Sequence, residues 1–198
     1  MAQKSIAITG GIGSGKSTLL SLLQKKGYTV FSCDEIYQSL LCNPSYIQKV
    51  KSLFPTAVRN NAIDKTALGK IVFENDTKRQ QLNEIAHPSI MQELYAQIKK
   101  QDGVVFSEVP LLFEGEYEDD FDAVIVVMRE KQQRALAVAK RNGISTQNAK
   151  QRMLSQFDIS KERWFLLLGN GIRNQGLCTR RPLATVEFLR LCPFSGQS

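Results

Sequence analysis

The chain has 198 residues, 42% hydrophobic and 23% charged, with a formal net charge of +7. Such a chain suits one domain, with room for a small insertion and a core that needs no disulfide or metal staple. The composition excludes a disordered chain, the longest apolar runs are too short to span a bilayer, and a single histidine, His87, excludes a histidine-rich metal site.

Ser5–Thr9 reads as a short buried strand. It leaves no room before it for a signal peptide, so a cytoplasmic protein is expected. The next residues, Gly10-Gly11-Ile12-Gly13-Ser14-Gly15-Lys16-Ser17-Thr18, fit G-x-x-x-x-G-K-[ST]. Glycines let a backbone pass close to a phosphate, and successive N–H groups with a helix N-terminus favour an anion. Lys16 can reach the β- and γ-phosphates, and the Ser17 hydroxyl can hold Mg²⁺. Leu19–Lys26 follows as a helix that Gly27 ends.

Tyr28–Phe31 is a second strand, followed by Ser32-Cys33-Asp34-Glu35. Ligands in an open parallel sheet bind beyond the carboxyl ends of strands, which gives Asp34 a candidate catalytic role. N-capping of a helix over Glu35–Leu41 is the structural alternative, and one aspartate can serve both. Residues 44–100 contain no evident strand. Pro44–Phe54, Asp64–Glu74, Asp76–Ile85 and Pro88–Lys100 read as helices with apolar residues at helical intervals, and Asn60-Asn61 marks a turn. The segment looks like a helical insertion suited to a second substrate. Pro88 is expected at the first position of its last helix, with His87 as a cap or packed surface residue.

Gly103–Ser107 is the third strand and runs into Glu108, an acid where other phosphate-loop proteins place a Mg²⁺-linked carboxylate. The acidic loop Gly115–Asp120 lacks the spacing of a Ca²⁺ site. Ala123–Met128 is a continuous apolar strand of the kind buried on both faces of a parallel sheet. Lys131–Arg141, ended by Asn142-Gly143, and Thr146–Phe157 form a cationic helix pair. It reads as a lid over phosphates, or alternatively as a solvated face. Residues 163–198 then change character, with five arginines and no lysine. Cys33, Cys42, Cys178 and Cys192 have no metal or redox spacing and read as reduced thiols.

Together these segments resemble the dephospho-coenzyme A kinase family from about Ile6 to about Gln156. The phosphate loop with Thr9, the strand ending at Asp34, Asp64-Lys65-Thr66-Ala67-Leu68, His87-Pro88, Val109–Glu114 and Arg141-Asn142-Gly143 carry the likeness. Ser32, Cys33 and Lys65 depart from the family's residues. Gln133 and Arg134 are out of step with a Gln and an Arg of its lid helix. Ile172–Gly176 fits in part, and beyond Gly176 there is no likeness. The lost resemblance and the lysine-to-arginine change predict an altered reading frame or a replaced ending, as against plain divergence.

The resemblance implies an α/β, three-layer P-loop kinase with a parallel sheet, a helical substrate-binding insertion and a lid. The kinase domain would span residues 1–176, with a core at about 1–43 and 101–128, the insertion at about 44–100 and the lid at about 129–160. Residues 177–198 would be an atypical tail. The implied reaction is phosphorylation of the ribose 3′-hydroxyl of dephospho-coenzyme A by ATP. Gly11, Ile12, Gly13, Ser14, Gly15, Lys16, Ser17 and Thr18 would bind ATP, and Ser17 and Glu108 would serve Mg²⁺. Thr9, Asp34, Lys65, His87 and Arg141 would meet the acceptor, with Asp34, Lys16 and Arg141 catalytic. No nucleic-acid or membrane partner is expected, and a monomer is the simplest state. Another small-molecule or nucleoside monophosphate kinase, or an impaired nucleotide binder, is the alternative.

Overall fold

The computed structural model describes residues 3–154 and the strand 166–168. In chain order, β1 is Lys4–Thr9, α1 Lys16–Lys25, β2 Thr29–Ser32, α2 Cys33–Leu40 and α3 Pro44–Leu53. Then come β3 Val58–Arg59, β4 Ala62–Ile63, α4 Lys65–Glu74, α5 Asp76–Ile98 and β5 Val104–Glu108. The last elements are β6 Ala123–Val127, α6 Lys131–Asn142, α7 Thr146–Leu154 and β7 Leu166–Leu168. The molecule is mixed α/β, and the pairings β1 with β6, β2 with β5 and β6 with β7 are all parallel. Among the described residues, no helix is long and apolar enough to cross a membrane. The expectations for Ile172–Gly176 and the 177–198 tail fall outside the described residues.

The chain divides into two compact units. One holds residues 1–5 and 26–109. Here β2 and β5 pair from Thr29 opposite Val105 to Ser32 opposite Glu108. Tyr28 packs edge-on against Phe106, with ring centroids 5.3 Å apart. The helices surround buried Ile36, Tyr46, Val50, Phe54, Leu68 and Leu94. Tyr37 of α2 meets Tyr46 of α3 edge to face at 6.2 Å. Helix starts follow the capping chemistry. Asn43 accepts from the N–H groups of Ser45 and Tyr46 ahead of Pro44, and Asp64 accepts from Thr66 and Ala67 at 3.0 and 2.9 Å.

Three expectations need correction in this unit. Residues 44–100 do contain strands: β3 and β4 form an antiparallel hairpin. Asn60 and Asn61 both adopt positive φ, 50° and 56°, as a two-residue turn of this hand requires. The strands are too short for any alternation to show in sequence. Second, His87-Pro88 does not begin a helix. Pro88 lies inside the 23-residue α5, whose buried Leu82, Ala86, Ser89, Met91, Leu94 and Ile98 run through it. Continuous burial outweighs the bond that Pro88 cannot donate to the Glu84 carbonyl. The Ser89 hydroxyl also donates to the Ile85 carbonyl at 2.7 Å. Third, Asp34 is not the cap of α2. The helix starts at Cys33, two residues before the expected Glu35, and Ser32 takes the cap position without a side-chain cap bond.

Among the described residues, the other unit holds 6–25, 110–154 and the strand 166–168. Ile6, Ala7, Ile8 and Thr9 of β1 are buried and pair with Ala123 to Val126 of β6. Burial on both faces explains why β6 reads as an unbroken apolar run. Gly143 closes α6 in the left-handed conformation, φ 62°. Ala135 and Val138 of α6 pack with Ala149 of α7, and Ile12, Ala139, Ile144 and Met153 lie against them.

The Asp64 carboxylate satisfies two of the first N–H groups of α4, so Asp64→Ala should cost about 1 kcal/mol. A thermal melt should show Tm lowered by about 2–4 °C, with Asp64→Asn close to the parent.

Candidate active site

The glycine loop between β1 and α1 is shaped by close contacts at some positions and by backbone conformation at others. Gly10 has φ 145°, and a Cβ there would sit 2.4 Å from the Val127 carbonyl oxygen at the end of β6. Gly13 has φ 76°, and a Cβ would meet the Arg134 carbonyl at 2.8 Å and a Val138 methyl at 2.9 Å. Neither position admits a side chain. Gly15 has φ 105° and opens onto empty space. The loop is therefore pressed against β6 and α6 on one side and clear on the other.

Helix α1 begins at Lys16, inside the motif, and the Thr18 and Leu19 N–H groups already donate to the Gly15 carbonyl. Lys16 Nζ folds back to donate to the Gly10 carbonyl at 2.6 Å and the Gly11 carbonyl at 3.4 Å. Ser14 N–H also donates to the Gly11 carbonyl. Ser17 and Thr18 are exposed on the first turn of α1. Thr9, at the end of β1, is 1% exposed. Ser14 Oγ is buried with no hydrogen-bond partner, an unsatisfied polar atom inside the loop. The loop thus offers glycine-cleared space, a helix N-terminus, a lysine and hydroxyls, which fits a nucleotide polyphosphate. For Mg²⁺ the available donor is the Ser17 hydroxyl, a hard oxygen. Among the described residues there is no cluster of three His, Cys, Asp or Glu side chains. Mg²⁺ needs none when phosphates and water supply most of its shell.

On α6 the helix pair is no mere solvated face, because Ile12 of the loop packs into it. Arg134 is the residue that sequence reasoning did not place. Its Nε donates to the Ile12 carbonyl at 3.0 Å, and burial pulls its guanidinium below the usual arginine range. It remains charged at neutral pH. Nothing in the sequence sets it apart from the other cations of the same helix. Arg141 is exposed near the end of α6, its Nε donating to Asn142 Oδ1 at 3.2 Å. With Arg129, Gln133, Leu136, Ala137 and Lys140 it lines an open groove of about 660 Å³.

In the unit of residues 1–5 and 26–109, the ends of β2 and β5 bring Ser32, Cys33, Asp34 and Glu108 together. The Ser32 hydroxyl donates to Glu108 Oε2 at 3.4 Å, while Asp34 is exposed on the first turn of α2. Cys33 is buried, and its thiol is pushed up to about 12 by burial first, then by the charges of Asp34 and Glu108. Lys65 Nζ donates to Gln38 Oε1 at 2.5 Å, which ties the start of α4 to α2. His87 is half-buried in the middle of α5.

The dephospho-CoA kinase family model matches residues 4–170. A dephospho-CoA kinase from Enterococcus faecalis is 35% identical over 176 residues, covering 84% of this chain and 88% of its own. TT1252 from Thermus thermophilus, a crystal structure, superposes with a TM-score of 0.71 at 30% identity, covering 86% of this chain and 91% of its own. The dephospho-CoA kinase from Campylobacter jejuni gives a TM-score of 0.59 at 28% identity, covering 84% and 89%.

The carboxylates beside Cys33 make a checkable outcome. In the folded protein, iodoacetamide at pH 8.5 should label exposed Cys42 well before Cys33, as read by peptide mass spectrometry. Glu108→Gln removes one negative charge, so it should lower the Cys33 pKa and speed its labelling. The raised thiol also sets a sign for stability. Between about pH 9 and 12 the unfolded chain loses this proton and the folded one keeps it, so this group's contribution falls as pH rises.

Proposed function

The chain belongs to the dephospho-CoA kinase family, and on that premise we propose how its residues divide the reaction. The reaction is transfer of the γ-phosphoryl of ATP to the ribose 3′-hydroxyl of dephospho-CoA, the last step of coenzyme A biosynthesis. The observation that carries the assignment of the donor side is the loop itself. Gly10, Gly13 and Gly15 at positive φ lead straight into α1, with Lys16 folded across the loop carbonyls.

Gly11 to Thr18 hold the triphosphate, mostly through main-chain N–H groups. Lys16 exchanges its loop carbonyls for the β- and γ-phosphates when ATP arrives. The carbonyls cost little to release, since a charge-assisted bond to phosphate is the stronger one. Ser17 and Glu108 are the oxygen donors proposed for Mg²⁺. When bound, Mg²⁺ neutralises charge on the phosphates and helps hold them in line.

Asp34 orients the acceptor hydroxyl and takes its proton. Its exposure on the first turn of α2 leaves the carboxylate accessible to a substrate. In a loose phosphoryl-transfer transition state, that positioning matters more than base strength. Thr9, Lys65 and His87 are proposed on the acceptor side from the family likeness. Arg141, with Lys140 and Arg129 along the same groove, supplies cations that counter developing charge. A cytoplasmic location accompanies this reading.

ADP release with a panel of acceptors tests the whole reading. Turnover is expected with dephospho-CoA and not with nucleoside monophosphates or sugar acids. Lys16→Ala should lower kcat by on the order of 100-fold or more, as loss of a phosphate-stabilising donor does. Asp34→Asn should lower kcat by on the order of 100-fold with an unchanged melting curve. Near-normal turnover in Asp34→Asn removes it as the base.

A further inference from the structure

A glycine in a phosphate loop has two separate reasons to be a glycine, and Gly11 has an unusual one. Gly10, Gly13 and Gly15 all have positive φ; Gly11 does not. Its backbone would accept an L-side chain. The obstacle is a single side chain. The three heavy atoms nearest to a Cβ on Gly11 all belong to the Arg134 guanidinium: Nη2 at 2.1 Å, Cζ at 2.6 Å and Nη1 at 3.1 Å.

The same arginine bounds the loop at two further points. Its Nε donates to the Ile12 carbonyl, and its own carbonyl oxygen lies 2.8 Å from where a Cβ of Gly13 would be. The Ile12 side chain is held as well, against the Ala135, Val138 and Ala149 cluster. The peptide joining Ile12 to Gly13 is planar and trans, so its C=O and N–H point in opposite directions. Fixing the Ile12 carbonyl on Arg134 therefore turns the Gly13 N–H away from the guanidinium. The carbonyls of Gly10 and Gly11 are likewise occupied, by Lys16 and Ser14 N–H. Lys16 must leave for phosphate in the proposed reaction, whereas Arg134 need not.

We propose that Arg134 is a positioning residue for ATP, which holds the Ile12 carbonyl outward so that the loop presents N–H groups to the triphosphate, and that Gly11 lacks a side chain to admit its guanidinium. The proposal rests on the loop's nucleotide-binding role and extends it to a residue on α6. Its energetic basis is that a carbonyl turned inward would meet the phosphates as a repulsive dipole, while one held by a charged donor stays out.

Gly11→Ala and Arg134→Ala reach the same interaction from opposite sides, which makes a double-mutant cycle the test. ATP affinity is measured by calorimetry without acceptor, and KM for ATP and dephospho-CoA by ADP release. Each single variant should weaken ATP binding about tenfold. The double variant should be no weaker than the worse single one, since the added methyl then has room but the strut is already lost. KM for dephospho-CoA should stay within about twofold, and Arg134→Lys should recover part of the ATP affinity. Unchanged ATP affinity in either single variant overturns the proposal, and so does a double variant that loses the product of the two factors. Gly11→Ala adds one methyl group, so it gives a folded readout even if Arg134→Ala does not. If the parent protein binds ATP with this cycle but phosphorylates none of the acceptors, the kinase reading fails and this inference stands.

Discussion

Every peptide unit carries one acceptor for each donor, and a loop that binds an anion must show it only the donors. This constraint governs the segment between β1 and α1. The carbonyls of Gly10, Gly11 and Ile12 are each taken from behind, by Lys16, Ser14 N–H and Arg134. Two of those three donors lie within the motif, and the third comes from α6, more than a hundred residues on. A motif read as a local cradle is thus completed by the helix that sequence reading had treated as a lid.

The glycines divide along the same line. Gly10 is excluded from any other identity by the Val127 carbonyl at the end of β6 and by its own φ of 145°. Parallel pairing of β1 with β6 sets that distance, because it brings the ends of the two strands level at Thr9 and Val126. Gly13 is hemmed in by the Arg134 backbone and the Val138 side chain of α6. Gly15 needs only its positive φ. These glycines of one motif are therefore held by sheet register, by helix packing and by backbone conformation respectively.

In the other unit a comparable economy places the acids. Ser32 and Glu108 stand opposite one another in the β2–β5 register, which explains the hydrogen bond between them. That bond draws the Ser32 side chain away from capping α2. Asp34 is then left on the exposed first turn of the helix, where a negative charge is favoured by the helix N-terminus. Cys33 between them is buried against two carboxylates, and an un-ionised thiol is the species that such a place tolerates.

The sequence alone determined the strand–loop–helix start, the parallel α/β class, the family and the first two helices of residues 44–100. These rest on local rules: glycine and lysine spacing, unbroken apolar runs, and apolar residues at helical intervals. It misplaced what depends on long-range burial. Pro88 sits within α5 because six buried side chains continue across it. The β3–β4 hairpin escaped notice because two-residue strands show no period. Tertiary structure alone decided that Arg134 lies on the phosphate loop. It is one of several cations on one basic helix, and residue type and spacing do not single it out. The packing of Ile12 against the cluster of Ala135, Val138 and Ala149 does, because it fixes which part of α6 the loop touches.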